Sequence, residues 1–219
     1  MKPSGKTRLH TQYKDSEGNV VPSVTSIIGS QLGWNKNALI NWTKKLVAIG
    51  EDPEKVRDKS ADIGTLAHYL IECDLKGLQP NIGDFSINNL MLAQNAYNAF
   101  KKWWDDKNFK FYKSECVIVS EEYKYGGTID LLARRENDIY LIDFKTSGGI
   151  YPEHLLQVSA YEYAYSQEIE PIKEVYILQL SKQDDSFSEH YISREQLNLA
   201  FEAFLHCISL AKIQSELKV

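Results

Sequence analysis

The chain has 219 residues, of which 43% are hydrophobic and 25% charged, which is the composition of a globular protein and excludes a disordered one. Lys and Arg number 25 and Asp and Glu 30, and the resulting net charge of −5 excludes a protein that coats nucleic acid through charge alone. No apolar run reaches the roughly 18 residues of a membrane span, and the first residues contain no signal-peptide core. The sequence therefore predicts a soluble, intracellular protein of cytoplasmic location.

The N-terminal half of the sequence has mostly helical periodicity. A turn at residues 17–19 predicts a hairpin, and a short helix is expected to begin near Ser23. Asp52 followed by Pro53 is typical of a helix start, with the aspartate as the cap. Apolar stripes predict further helices at residues 34–49, 61–76 and 87–104. The stripe of the first of these consists of Leu39, Trp42, Leu46 and Ile49.

The C-terminal half changes to strand-like periodicity near residue 109, after which helices and strands alternate. Strands are predicted at residues 110–120, 128–134, 139–144, 174–180 and 186–192, and helices at 152–167 and 194–217. The run 139–144 is nearly all apolar, as in a central strand. The predicted fold class is α/β with α+β character, a central mixed sheet flanked by helices. We expect one domain over residues 1–219, with a mostly helical portion at 1–108 and a sheet-centred core at 109–219.

Two aspartates lie at the ends of predicted strands. Asp143 and Lys145 are two residues apart, so they project to the same face, while Phe144 points into apolar packing. A buried carboxylate is costly unless its charge is compensated. Asp130 and Asp143 on neighbouring strand ends can share Mg²⁺ or Mn²⁺ through oxygen ligands. An isolated Asp-x-Lys is better explained as a surface ion pair where a strand ends, because three-residue patterns occur by chance in many proteins.

Two predicted helices bring further polar groups. Gln157 and Tyr161 are four residues apart and share one helical face, and so do His68 and Glu72. A lone helical histidine is usually a structural residue. Beside two carboxylates, His68 becomes a candidate third metal ligand, with Glu72 as its supporting partner.

Aromatic residues and cysteines give weaker signals. Tyr125, with Tyr123, comes just before two glycines at the expected mouth of the site, where a ring can stack on an unpaired base. Trp42 and Trp103 are expected to be core or half-core residues of their helices. The three cysteines are far apart in the sequence and are expected to be structural thiols: Cys73, Cys116 and Cys207.

Taken in order, these residues resemble the PD-(D/E)xK nuclease superfamily in its RecB-like branch. That branch has a helical His, a Glu-bearing strand, Gly-x-x-Asp, Asp-x-Lys and Gln-x-x-x-Tyr. The matching residues are His68, Glu115, Asp130, Asp143 with Lys145, and Gln157 with Tyr161. Residues 21–28, 49–52 and 64–68 are similar, more narrowly, to the mitochondrial genome maintenance exonucleases and their phage and bacterial relatives. The resemblance covers roughly residues 20–180, and a phage-encoded chain fits it.

The resemblance implies a restriction-endonuclease-like core and metal-dependent hydrolysis of phosphodiester bonds. The implied metal ligands are His68, Asp130, Asp143 and the carbonyl of Phe144. The implied catalytic residues are Asp130, Asp143, Lys145 and Glu115, the last being either an outer metal ligand or an ordinary charged strand residue. Lys145 would orient a water or neutralise charge on the phosphate, and Gln157 and Tyr161 would position the DNA strand or the lysine. Some members of the branch carry a four-cysteine iron–sulfur cluster, which three cysteines cannot build, so no such cluster is expected.

We therefore expect a metal-dependent DNA exonuclease acting on single-stranded ends in replication, recombination or repair, with proteins of those processes as further partners. The alternatives are an endonuclease or flap nuclease on the same core, and a nucleic-acid-binding module without catalysis. The intact set of Asp130, Asp143 and Lys145 favours catalysis. The helical residues 23–106 exceed what the core needs and would cover the site. A covered path suits an unstacked strand that enters from an end.

Overall fold

The computed structural model describes residues 11–83 and 85–217; the first ten residues of the predicted irregular start lie outside them. The helices are α1 (Val24–Gln31), α2 (Lys36–Ala48), α3 (Pro53–Leu75), α4 (Ile87–Lys107), α5 (Pro152–Glu168) and α6 (Arg194–Glu216). The strands are β1 (Tyr13–Lys14), β2 (Val20–Val21), β3 (Lys110–Ser120), β4 (Tyr125–Arg135), β5 (Asp138–Lys145), β6 (Ile172–Leu180) and β7 (Phe187–Ile192). No helix among the described residues is both long enough and apolar enough to cross a membrane.

Five strands form one sheet in the order β3-β4-β5-β6-β7. β5 and β6 run parallel and are joined by α5, whereas the other neighbours are antiparallel. β1 and β2 form a separate hairpin, as the turn signal predicted, with Gly18 at φ 86°. The predicted fold class, a mixed sheet flanked by helices and preceded by a helical portion, is confirmed.

Two element boundaries differ from the sequence prediction. The helix expected at residue 61 begins at Pro53, where the Asp52 carboxylate accepts hydrogen bonds from the first turn. The helix start predicted at Asp52 and the helix predicted at 61–76 are therefore one continuous helix. β4 begins at Tyr125 rather than at residue 128. Its early part contains Gly126 and Gly127, and glycine weakens the strand signal of a sequence.

The sheet separates two apolar cores. α1, α5 and α6 pack on one face, and α3 and α4 pack on the other. Along β5, Leu141 faces the first core, whereas Ile142 and Phe144 face the second. Because side chains alternate along a strand, Asp143 and Lys145 emerge on the α5 side at the end of β5.

The helix α2 is an exception to this packing, because none of its residues is buried. Trp42, which was expected in a core, is exposed, and so are Leu39 and Ile49 of the predicted stripe. Trp103 of α4 is buried, as expected. The apolar stripe of α2 therefore faces outward over most of its length.

Candidate active site

The end of β5 meets α3 and the start of α5 at an open cleft. The cleft has a volume of about 250 Å³. Its polar lining includes Thr65 and His68 from α3, Lys145 and Thr146 from the end of β5, and His154 from α5. The cleft therefore collects side chains from both faces of the sheet.

Three side chains can hold one metal ion, and one of them, His68, lines this cleft. His68, Glu115 and Asp130 each offer a ligand atom, and these atoms lie within 4.8 Å of one another. His68 Nδ1 is 3.4 Å from Asp130 Oδ1. The other oxygen, Asp130 Oδ2, accepts a hydrogen bond of 2.8 Å from the backbone N–H of Phe144, which fixes the carboxylate. One imidazole and two carboxylates form a donor set that suits Mn²⁺ or Mg²⁺, so the residues present fit a divalent cation.

A local distortion of β3 places Glu115 in this group. Its φ is +49°, in the left-handed region, which costs a residue other than glycine about 1–3 kcal/mol. The strand pairs on either side, Ser114 with Leu131 and Cys116 with Ile129, set Glu115 opposite Asp130. Backbone strain of this kind concentrates at functional sites. Of the two roles left open for Glu115, that of a metal ligand fits its position better.

Asp143 lies beside the metal group with only 1% of its surface exposed. Its Oδ2 atom is 2.5 Å from Lys145 Nζ, yet it accepts no well-aligned hydrogen bond from the described residues. The amide of Gln157 donates a long hydrogen bond of 3.5 Å to Oδ1. Asp143 is thus held beside His68, Glu115 and Asp130, and its predicted role as a metal ligand stays a prediction.

The two aspartates differ in their electrostatics. Burial raises the pKa of Asp143; Lys145 opposes this shift and the charge of Asp130 adds to it. Burial also disfavours an ionised Asp130, but the neighbouring His68 and Lys145 hold the pKa of Asp130 below its usual value. A cation bound at this cleft would stabilise the ionised form of Asp143. This need for positive charge is a second reason why the site fits a metal ion.

The glycine of α3 that lines the cleft sets the distance between that helix and the sheet. A Cβ atom on Gly64 would lie 2.8 Å from Thr146 Oγ1. A side chain there would require either the Thr146 side chain or α3 to move. His68 follows four residues later on the same helical face, so it lies on the side of α3 that closely approaches the end of β5.

A second glycine connects two of the sequence motifs. A Cβ atom on Gly127 would lie 2.3 Å from the ring of Tyr161, so the glycine of Gly-x-x-Asp makes room for the tyrosine of Gln-x-x-x-Tyr. The Tyr161 hydroxyl accepts a hydrogen bond of 3.1 Å from Gln157. Tyr161 is buried, so the predicted direct contact with DNA does not fit its position. It instead holds Gln157, the amide that contacts Asp143.

The predicted position of Tyr125 at the mouth of the site is wrong. Its side chain is fully buried, and its hydroxyl donates a hydrogen bond of 2.9 Å to the backbone carbonyl of Ala160. Its ring packs edge-on against Phe204. Tyr123 packs against Phe201, also away from the cleft. Both rings are occupied in packing against α5 and α6, so neither is available to stack on a base.

The remaining candidate site residues are Glu72 and Phe144. Glu72 does not join the metal group, since it forms an ion pair with Lys76 one turn further along α3. The side chain of Phe144 is buried, and its ring lies edge-on to His68 at 5.5 Å. Thr146 and His154 also line the cleft, and the sequence interpretation assigned a site role to neither, although His154 shares the helical face of Gln157. Thr146 directly follows Asp-x-Lys, and that position was the available signal.

Comparison of the sequence with protein-family models and with curated proteins finds no match. Among solved structures, the chain is similar to a candidate exonuclease from Eubacterium rectale, with a TM-score of 0.48 and 13% identity over 71% of this chain and 65% of that one. It is also similar to SSO0001, with a TM-score of 0.40 and 17% identity over 84% of this chain and 74% of that one.

Proposed function

We propose that the chain is a metal-dependent nuclease that hydrolyses phosphodiester bonds in DNA, as an exonuclease acting on single-stranded ends. One observation carries the proposal. His68, Glu115 and Asp130 present ligand atoms within 4.8 Å of one another, beside the ion pair of Asp143 and Lys145. A group of metal ligands next to a lysine that is held in place is the arrangement needed to bind and hydrolyse a phosphodiester.

The side chains at and beside the cleft would have different roles. His68, Glu115 and Asp130 would hold Mg²⁺ or Mn²⁺, with Asp143 as an additional carboxylate and the Phe144 carbonyl as a further proposed ligand. When bound, the metal would polarise the scissile phosphate and lower the pKa of a bound water. Lys145 would donate hydrogen bonds to phosphate oxygens and neutralise the charge that grows on them.

The preference for an unpaired strand is supported by the composition of the segment around α2. Residues 18–50 contain no Asp or Glu, although the whole chain has 30. The exposed basic and large aromatic side chains of this segment are Lys36, Lys44, Lys45, Trp34 and Trp42. Exposed rings with nearby lysines can stack on bases and contact phosphates, which suits a single strand because a duplex keeps its bases stacked inside.

The position of α2 fits the same proposal. The residues just before it, Leu32 and Asn35, line a second cavity of about 270 Å³ that borders the start of α5. Ser60 and Gly64, which follow it on α3, line the cleft of the metal group. The helix α2 therefore lies in the chain between residues that line the one cavity and residues that line the other.

A gel assay with end-labelled DNA tests the proposal. Linear single strands should be degraded with Mn²⁺ or Mg²⁺ and left intact in EDTA. Blunt duplexes should be degraded slowly, and closed single-stranded circles hardly at all. Rapid cutting of circles would favour the endonuclease alternative, and binding without hydrolysis under every metal condition would favour the binding module.

Two variants distinguish the loss of a site residue from the general effect of replacing a buried carboxylate. Asp143→Asn should abolish hydrolysis. Glu162→Gln is the matched control, because Glu162 is also a buried carboxylate in an ion pair, with Arg194, and takes no part in the cleft. Equal loss of hydrolysis in both variants would contradict the assigned role of Asp143.

A further inference from the structure

The imidazole of His154 lies where the two cavities meet. It lines the cleft of the metal group together with His68 and Lys145. It also lines the second cavity, next to Asn35 and Gln157. A strand whose scissile phosphate lies at the metal group and that continues into the second cavity would pass His154.

The protonation of the ring is fixed by the backbone. The N–H of Tyr151 donates a hydrogen bond of 3.2 Å to His154 Nδ1. Nδ1 therefore carries no proton, and the proton of the neutral ring is on Nε2. Burial, together with the charge of Lys145, lowers the pKa of His154 to about 4, so the ring is neutral at neutral pH. Nε2 has no hydrogen-bond acceptor within residues 11–83 and 85–217.

A phosphate in the second cavity would need an uncharged hydrogen-bond donor of this kind. Among the side chains that line it, Glu153 is the charged one, and the lining contains no lysine or arginine. A phosphate that enters this cavity must therefore be held by uncharged donors. Among these donors, His154 is the one that lines both this cavity and the cleft of the metal group.

We propose that His154 binds the phosphate next to the scissile one by donating a hydrogen bond from Nε2–H to a non-bridging oxygen. The inference rests on the proposed nuclease function and adds a substrate-binding residue to it. The metal group and Lys145 act on the scissile phosphate, while His154 fixes the position of the neighbouring linkage.

Two substitutions separate this role from the structural role of the ring. In His154→Asn, the amide oxygen can replace Nδ1 as the acceptor for the Tyr151 N–H, but the side chain is too short to replace Nε2–H. In His154→Gln, the amide N–H₂ can reach the position of Nε2, but the Nδ1 acceptor is lost. We expect kcat/KM on linear single strands to fall by about 10- to 100-fold in His154→Asn and to be largely retained in His154→Gln. Thermal unfolding should show the opposite order, with the lower Tm in His154→Gln.

A modified substrate identifies the phosphate involved. Oligonucleotides would carry one uncharged methylphosphonate linkage, placed on each side of the cleavage site in turn. At one of the two positions, the modification should slow the wild type about as much as His154→Asn does, and should slow His154→Asn no further. If the loss of activity from the methylphosphonate and the loss from His154→Asn multiply at both positions, the inference is overturned and the nuclease function is left intact. The inference would also be overturned if kcat/KM and Tm ranked His154→Asn and His154→Gln in the same order. A wild type that hydrolyses no DNA with Mn²⁺ or Mg²⁺ would overturn the proposed function and this inference with it.

Discussion

The helices α2 and α3 follow each other in the chain and have opposite relations to the rest of the protein. Both were predicted from apolar residues at helical spacing. The apolar side of α3 is buried against α4 and the sheet, whereas α2 has no buried residue. α3 can therefore hold His68 at a fixed distance from Asp130, while Trp42 of α2 and Trp34, just before α2, are exposed. The comparison shows that periodicity predicts a helix, but that burial also needs a partner surface.

The largest expected effect concerns the candidate site that α3 helps to form. Asp143→Asn keeps the size of the side chain and removes the charge that the proposed metal site would use. Turnover on linear single strands should fall by several orders of magnitude, about 10³-fold or more, as for the loss of other central catalytic groups. Steady-state hydrolysis with Mn²⁺ measures this, and wild-type turnover in the variant would contradict the assignment.

The same variant should not lose stability. Burial raises the pKa of Asp143 in the folded protein, so the ionised carboxylate destabilises the fold at pH 7, above the unfolded value of about 3.9. In EDTA at pH 7 the Tm of Asp143→Asn should equal or exceed that of the wild type. The difference should disappear below about pH 4, where the carboxyl is protonated in both states. Added Mn²⁺ should raise the Tm of the wild type more than that of the variant.

A further prediction compares one leucine of α3 with one leucine of α2. Leu66 of α3 is buried in the core, and Leu39 of α2 is 54% exposed. Leu66→Ala should lower the free energy of unfolding by about 2–5 kcal/mol, and Leu39→Ala should change it by less than about 0.5 kcal/mol. Urea denaturation measures both changes. A similar cost at the two positions would show that α2 is packed in solution and would remove the contrast.

The third prediction concerns DNA affinity. In the Asp143→Asn background, Trp34→Ala and Trp42→Ala should each weaken binding of a linear single strand by about 1–3 kcal/mol, the usual value of one base–aromatic stack. Binding of blunt duplex should change little, because its bases are not available to the rings. Fluorescence anisotropy measures both affinities. Leu199→Ala on α6 is the control, since this leucine is also exposed but lies on another helix. Unchanged single-strand affinity in both tryptophan variants would exclude α2 from the strand path.

The sequence was sufficient for the parts of the site that depend on local pattern. Alternation along β5 correctly placed Asp143 and Lys145 on one face, and helical spacing placed Gln157 beside Tyr161. The residues that it misplaced depend on contacts between distant segments. The burial of Tyr125 follows from Ala160 and Phe204, which lie on α5 and α6. Glu115 was not misplaced: the family resemblance named it as a candidate site residue, although no sequence period signals its left-handed φ.

The smallest expected effect is on salt dependence. Each contact between a lysine and a phosphate of a single strand contributes about 0.7 to the slope of log affinity against log salt concentration. Lys44→Gln with Lys45→Gln should therefore lower the magnitude of this slope by about 1.4 if both lysines contact phosphates. Lys212→Gln, at an exposed lysine of α6, is the control and should leave the slope unchanged. An unchanged slope in the α2 variant, together with lost affinity in the tryptophan variants, would show that α2 contacts bases and not phosphates. Unchanged behaviour in both would mean that the exposed surface of α2 has another partner, and that the single strand reaches the metal group by a different path.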